Sequence, residues 1–178
     1  MNPLLLQIAQ NRVQAGCKGP RAAEWLSAQG LAVPVAPNSY STAADSSDQV
    51  LIARLGRSEF FLEQGMPGET VRRVAAPATT FSGIYPVLHE DFAWTLSGTG
   101  AEAMLAEVCN INFAALQMAA HPVIMTLMIG VSVLIVPQDM AGMRQYRIWC
   151  DPTYGPSLGE TLQGVVEECG GTYSGVTA

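Results

Sequence analysis

Apolar residues alternate along two short stretches, and each stretch runs through a glycine into helical spacing. Val13, Ala15 and Cys17 fall two apart, as one face of a strand does, and Phe92, Trp94 and Leu96 repeat the pattern. Glycine follows at Gly19 and Gly98. Helical spacing then begins, with Ala22, Trp25 and Leu26 in the first case and Ala101, Met104, Leu105 and Val108 in the second. Pro20 suits a first helical turn, where its missing N–H would have been unpaired. Gly30 suits the position just past a helix end. One offset aligns residues 13–22 with residues 92–101 without a gap, so the chain reads as an internal repeat.

Each copy continues with hairpin material. Gln49 to Ala53 and Glu59 to Glu63 flank Gly56-Arg57-Ser58, with Val50, Ile52, Phe60 and Leu62 as strand-type residues. In the second copy, Val123 to Leu127 and Val131 to Val136 meet near Ile129-Gly130. A turn is expected through Pro137-Gln138-Asp139 and Gly142, before a strand from Tyr146 to Cys150. A last helix follows Asp151-Pro152, with Leu158, Leu162, Val165, Val166 and Cys169 as its buried stripe and Gly170-Gly171 as its stop. Pro34 to Asp48 reads as a surface loop. Gly65 to Gly83 reads as the linker, holding a short turn around Glu69 to Val74. The expected architecture is α+β: two β-α-β-β-like repeats, each an antiparallel sheet with a helix on one face. They form a single domain over residues 1–178, made of half-repeats 1–76 and 80–178.

Composition narrows the classes. The chain has 178 residues, 49% hydrophobic and 13% charged, against a usual charged share of about 25%. That excludes a disordered chain. With a net charge of −6 and Lys18 as the only lysine, a phosphate-neutralising surface is not expected, and neither is nucleic acid as a partner. So little charge implies that a membrane or another protein covers part of the surface. The most apolar run, Val123 to Val136, is shorter than the roughly 20 residues of a spanning helix. Met1 to Ile8 lacks the basic region and cleavage site of a signal peptide. A cytoplasmic chain within a complex, away from membranes, is the expectation. Cys17, Cys109, Cys150 and Cys169 form no C-x-x-C pair and read as buried core residues.

Candidate chemistry is sparse. Gly98-Thr99-Gly100-Ala101-Glu102-Ala103 is a G-x-G-x-x-A string between strand and helix, the context of a dinucleotide pyrophosphate. The acid that would hold the ribose is missing, since no Asp or Glu occurs from Val108 to Gln138. His89 and His121 lack the spacing of a metal pair. Glu90-Asp91 and Glu167-Glu168 are adjacent pairs whose side chains point apart, as solvated residues do. Tyr146, Trp149, Tyr154 and Tyr173, with Arg144 and Arg147, are either interface anchors or an ordinary core strand.

Three segments carry a family resemblance. They are Cys17-Lys18-Gly19-Pro20-Arg21-Ala22-Ala23-Glu24-Trp25-Leu26 with Pro34 to Asn38; Trp94-Thr95-Leu96-Ser97-Gly98 with Ala101, Leu105, Val108 and Cys109; and Tyr146-Arg147-Ile148-Trp149-Cys150-Asp151 with Tyr154. On these, the chain resembles the gamma subunit of heterotetrameric sarcosine oxidase and N-methylglutamate dehydrogenase, within the aminomethyltransferase (glycine-cleavage T-protein-like) fold. The resemblance implies alpha, beta and delta partner subunits, with FAD, FMN, NAD, tetrahydrofolate and zinc on those partners and no cofactor on this chain. Aminomethyltransferases place an aspartate on an Asp-x-Ser-His-like strand beside folate. The matching segment here, Ile84-Tyr85-Pro86-Val87-Leu88-His89, has neither Asp nor Ser.

The expected function is therefore a non-catalytic scaffolding subunit of a flavin- and tetrahydrofolate-dependent N-methyl amine demethylase. Its substrate would be an amine such as sarcosine or N-methylglutamate. No residue of this chain is assigned to catalysis, cofactor or metal. The alternative is a stand-alone folate-binding or one-carbon transfer protein, for which Glu90 or Asp91 is the nearest acid. A third reading is a nucleotide-binding regulator using Gly98 and Gly100.

Overall fold

The computed structural model describes residues 3–44, 49–75, 82–140 and 142–175. In chain order the elements are β1 (Leu5–Ile8), β2 (Arg12–Lys18), α1 (Ala22–Ala28), β3 (Ser39–Ala44), β4 (Gln49–Arg54), β5 (Glu59–Gly65), α2 (Glu69–Ala75) and β6 (Tyr85–Val87). They continue with β7 (Phe92–Ser97), α3 (Ala101–Val108), β8 (Ile124–Met128), β9 (Val131–Met140), β10 (Met143–Cys150), α4 (Gly155–Glu168) and β11 (Thr172–Ser174). The chain divides into two compact units, residues 11–90 and a split unit of residues 1–10 with 91–178.

In the 11–90 unit the strands order as β3-β4-β5-β2-β6, all antiparallel. Val13, Ala15 and Cys17 face α1 and α2, where Trp25, Leu26, Val71, Val74, Ile52, Phe60 and Leu62 complete the core. In the split unit the order is β11-β1-β7-β10-β9-β8, antiparallel except for the parallel pair β1–β11. Its core joins Leu6, Trp94, Leu96, Tyr146 and Ile148 to Met104, Leu105, Leu158, Leu162 and Val166 of α3 and α4. Full burial of each such side chain stabilises by about 1.5–3 kcal/mol.

The repeat is thus real at the level of elements: strand, glycine turn, helix, then three antiparallel strands and a second helix. The leading strands are exchanged. β1 precedes β2 in sequence but pairs with β7, and β6 precedes β7 but pairs with β2.

Four local expectations need correction. Part of the expected loop from Pro34 to Asp48 is strand β3, and residues 45–48 lie outside the described residues. The expected turn at Pro137-Gln138-Asp139 is continuous strand, and β9 runs to Met140. Cys169 is exposed at the end of α4 instead of lying in its buried stripe. The segment around Glu69 is a full helix. β1, β6 and β11 were not foreseen.

Candidate functional site

The β2–β5 pair carries the most polar buried surface of the 11–90 unit. Val13, Ala15 and Cys17 face the helices, so the period of two turns Gln14 and Gly16 to the other face. Gln14 stands opposite Glu63 and Gly16 opposite Phe61. Gln14 Nε2 donates to Glu63 Oε2 at 3.0 Å. Glu63 and Gln64 have no exposed surface at all. Gln64 Oε1 accepts the N–H of Val71 at 3.4 Å, in the first turn of α2 where backbone donors lack helical partners. The ring of His89 meets that of Phe61 edge-on, with centroids 4.9 Å apart. A Cβ on Gly16 would lie 2.6 Å from His89 Cδ2, so glycine is what lets the imidazole rest on the strand. A cleft of about 260 Å³ opens beside this row, lined by Gln14, Gly16, Ala75, Pro86, Leu88 and His89 among others. The row offers one carboxyl, one carboxamide and one imidazole, which can exchange hydrogen bonds and hold a proton.

The split unit has a second polar cluster. Tyr146 donates its hydroxyl to Glu102 Oε1 at 2.9 Å. Arg144 reaches the same oxygen at 3.6 Å and donates from Nε to Asp139 Oδ1 at 2.6 Å. Burial, reinforced by the Glu102 carboxylate, pushes the Tyr146 phenol up, so it remains a donor. The hydrogen bond to Asp139 is the main reason the Arg144 guanidinium is raised above its ordinary value. Phe113 packs edge-on against Tyr146 at 5.4 Å. A cleft of about 490 Å³ lies alongside, lined by Glu102, Ala106, Asn110, Asn112 and Phe113 among others. Within this cluster the charges answer one another and tie α3 to the β9–β10 hairpin.

The residues singled out from sequence fall elsewhere. Gly98 and Gly100 have φ of 97° and 95°, and a Cβ at Gly98 would run into the carbonyl oxygen of Pro3. Both neighbours of β7 are antiparallel, so the parallel β-α-β crossover of a dinucleotide site is missing there. The glycines answer a need of the chain's own backbone. Glu90 is exposed and Asp91 half-buried, and neither lines either cleft. Glu167 and Glu168 are exposed. His121 sits in a turn with φ of 47°. Among the described residues, no three His, Cys, Asp or Glu side chains gather as metal ligands do. Tyr146 and Trp149 are core residues, 0% and 1% exposed, with Arg147 stacked 5.3 Å from the Trp149 ring. The interface reading fails for those two, and only Tyr154, at 52%, is an exposed aromatic of the group.

Burial raises the Cys17 thiol to about 12 and the Cys150 thiol to about 11, with Asp91 and Asp151 adding to the latter. Burial also raises Cys109. These thiols are inert at neutral pH. Sequence reasoning missed Gln14, Glu63 and Gln64. The available signal was the period of two: in Glu59, Phe61 and Glu63 it sets a carboxylate on a face that also carries Phe61.

No family model matches the chain, and no curated protein matches it. Solved structures share its fold, two of them as follows. The glycine cleavage system aminomethyltransferase T from Bartonella henselae superposes with a TM-score of 0.69 at 19% identity, over 97% of this chain and 48% of that one. The chain thus spans about half the length of that protein. The heterotetrameric sarcosine oxidase from Corynebacterium sp. U-96, in complex with pyrrole 2-carboxylate, superposes with a TM-score of 0.71 at 19% identity. That likeness covers 93% of this chain and 84% of that one. The fold class is therefore aminomethyltransferase T-protein-like α+β: the repeat pattern anticipated the α+β class, and the family resemblance implied the T-protein-like fold. No helix among the described residues is long and apolar enough to cross a membrane.

Proposed function

We propose that this chain is the scaffolding, non-catalytic gamma subunit of a sarcosine oxidase-type N-methyl amine demethylase. The observation that carries the reading is one of length. The likeness to a chain of the heterotetrameric sarcosine oxidase extends over 84% of that chain, whereas the chain spans only 48% of the aminomethyltransferase. The clefts support the reading too. In the split unit the charged groups bind one another, and the acids nearest a folate-type role, Glu90 and Asp91, face neither cleft. FAD, FMN, NAD, tetrahydrofolate and zinc would then reside on the alpha, beta and delta subunits.

The test is a mild pull-down of the tagged chain from its own host, with an absorbance spectrum of the eluate and a tetrahydrofolate titration of the isolated chain. Larger subunits with a flavin spectrum are the expected result. A colourless single chain that binds tetrahydrofolate would overturn the reading in favour of a stand-alone one-carbon protein.

A further inference from the structure

The helix-facing row of β4 changes character at its end. Val50 and Ile52 lie in the core under α1, and the period of two sets Arg54 next in that row, opposite Phe60. The guanidinium rests 5.3 Å from the centre of the Phe60 ring. It donates to four carbonyl oxygens. Nε donates to Gly56 at 3.2 Å, Nη1 to Pro34 at 3.1 Å and to Val35 at 2.8 Å, and Nη2 to Arg57 at 2.5 Å. Two loops are tied together in this way. Neutral carbonyls fix the place of the cation and leave its charge uncancelled.

A cleft of about 470 Å³ opens beside this guanidinium, within the 11–90 unit. It is lined by Gly19, Pro20 and Ala23 around the start of α1, and by Arg54, Arg57 and Ser58. Its described lining thus holds two arginines and no carboxylate. Among the described residues neither arginine forms an ion pair. The acids nearest in sequence are turned elsewhere. Glu59 alternates with the core residue Phe60 and so falls on the other face of β5. Glu24 accepts the Nε–H of Arg21 at 3.2 Å. Residues 76–81 contain no Asp or Glu. Asp45 and Asp48 precede Gln49, which the length of β4, roughly 16 Å, separates from Arg54. Uncompensated positive charge in a chain of net charge −6 calls for an explanation.

We propose that this cleft binds a small molecule through an oxyanion group, a phosphate or a carboxylate. Arg57 is exposed and makes the main contact, because the planar guanidinium fork matches the oxygens of either group. Arg54 is the fixed positive charge behind it, already positioned by its four carbonyls. Ser58 adds a hydroxyl, and Pro20 and Ala23 face the apolar part of the ligand. The volume falls within the range of about 300–1,000 Å³ of small-molecule sites. The inference does not depend on the proposed complex.

The probes are inorganic phosphate and succinate, each titrated into the ¹⁵N-labelled full chain at constant ionic strength, with chloride as the control. The backbone amides of residues 56–58 and the Nε–H signals of Arg54 and Arg57 report binding. Saturable shifts at millimolar probe are expected there, weakened at least tenfold by Arg57→Gln and also by added salt. Because the Arg57 side chain is exposed, the variant should keep the rest of the amide spectrum. Ser58→Ala gives a second reading and should weaken binding severalfold. Saturation by phosphate alone would assign a phosphorylated ligand and saturation by succinate alone a carboxylate; either supports the site. Shifts that do not saturate, that chloride reproduces, or that ignore Arg57→Gln would overturn it. Binding by the isolated chain that is lost in the co-purified complex would place an acidic side chain of a partner subunit in the cleft and overturn the small-molecule assignment.

Discussion

Single residues decide how closely backbone approaches backbone. Gly98 and Gly100 share a positive φ but differ in surroundings: a Cβ meets the Pro3 carbonyl at Gly98 and nothing within 4 Å at Gly100. Gly100→Ala should then cost about 1–2 kcal/mol, the left-handed penalty alone. Gly98→Ala should cost clearly more, because β1 must also shift. Urea midpoints of the two variants check the ranking, and equal midpoints would contradict it. The Gln14–Glu63 pair makes a second case. Gln14→Leu removes a donor from a buried carboxyl, and a loss of about 1–3 kcal/mol is expected in the same assay. Thiols make a third. Cys17 and Cys150 have folded values near 12 and 11, above the ordinary 9.0. Their neutral forms therefore contribute stability that is complete below pH 9.0 and lost as the pH rises through 11 to 12. At pH 8 only exposed Cys169 should react quickly with a disulfide reagent, and the other thiols only on unfolding. A second fast thiol would refute the buried assignment. Of these residues, the glycines were legible in the sequence as turn markers. Glu63 was not, because its burial depends on pairing with a strand some fifty positions away.

At the scale of elements, the hydrophobic period located β2, β4, β5, β7, β8, β9, β10, α1, α3 and α4, and it read α2 only as a short turn. It failed where that signal is weak or misleading. β3 is an edge strand of Ser, Tyr, Thr and Ala, the small and polar composition that edges carry and that loops share. Pro137 looked like a turn, yet it pairs opposite Tyr146 on β10. β8 pairs with β9 only as far as Ile135, so the missing N–H of Pro137 deprives no partner in β8. Helix α4 supplies a test of a local device. Asp151 accepts the Thr153 N–H at 2.9 Å and its hydroxyl at 2.5 Å, just before the helix begins. These bonds hold the Asp151 carboxyl below its ordinary value. A depressed folded value means the contribution is present above pH 3.8 and disappears as the pH falls through the folded value. Thr153→Val removes the hydroxyl donor and keeps the N–H, so it should move the carboxyl part of the way back toward its ordinary value in an NMR titration and speed amide exchange in the first turn of α4. An unchanged titration would show that the hydroxyl does not set it.

The whole molecule adds what neither residues nor elements reveal, namely which strand completes which sheet. The repeat was legible because strand, glycine and helix recur in order. The exchange of leading strands was not, since apolar Leu4-Leu5-Leu6 shows no alternation and Tyr85 to Val87 spans only three residues. Charge follows the same division: residues 11–90 hold seven basic and seven acidic residues, and the split unit holds two basic and eight acidic. The whole net charge of −6 thus belongs to the split unit, and the exposed carboxylates of α4 contribute to it. The topology makes a prediction about where the chain can be cut. A fragment of residues 11–90 keeps all five strands of its sheet and both helices. A fragment of residues 1–76, cut at the sequence repeat, loses β6 and with it the cover over Gly16 to Lys18. It also carries β1 without the β7 and β11 neighbours that pair with it. Unpaired strand edges of this kind promote association. The 11–90 fragment should therefore unfold more cooperatively in urea and stay monomeric at concentrations where the 1–76 fragment associates. Comparable unfolding curves and masses for the two would mean that the exchanged strands contribute little, and that the repeat boundary is also the folding boundary.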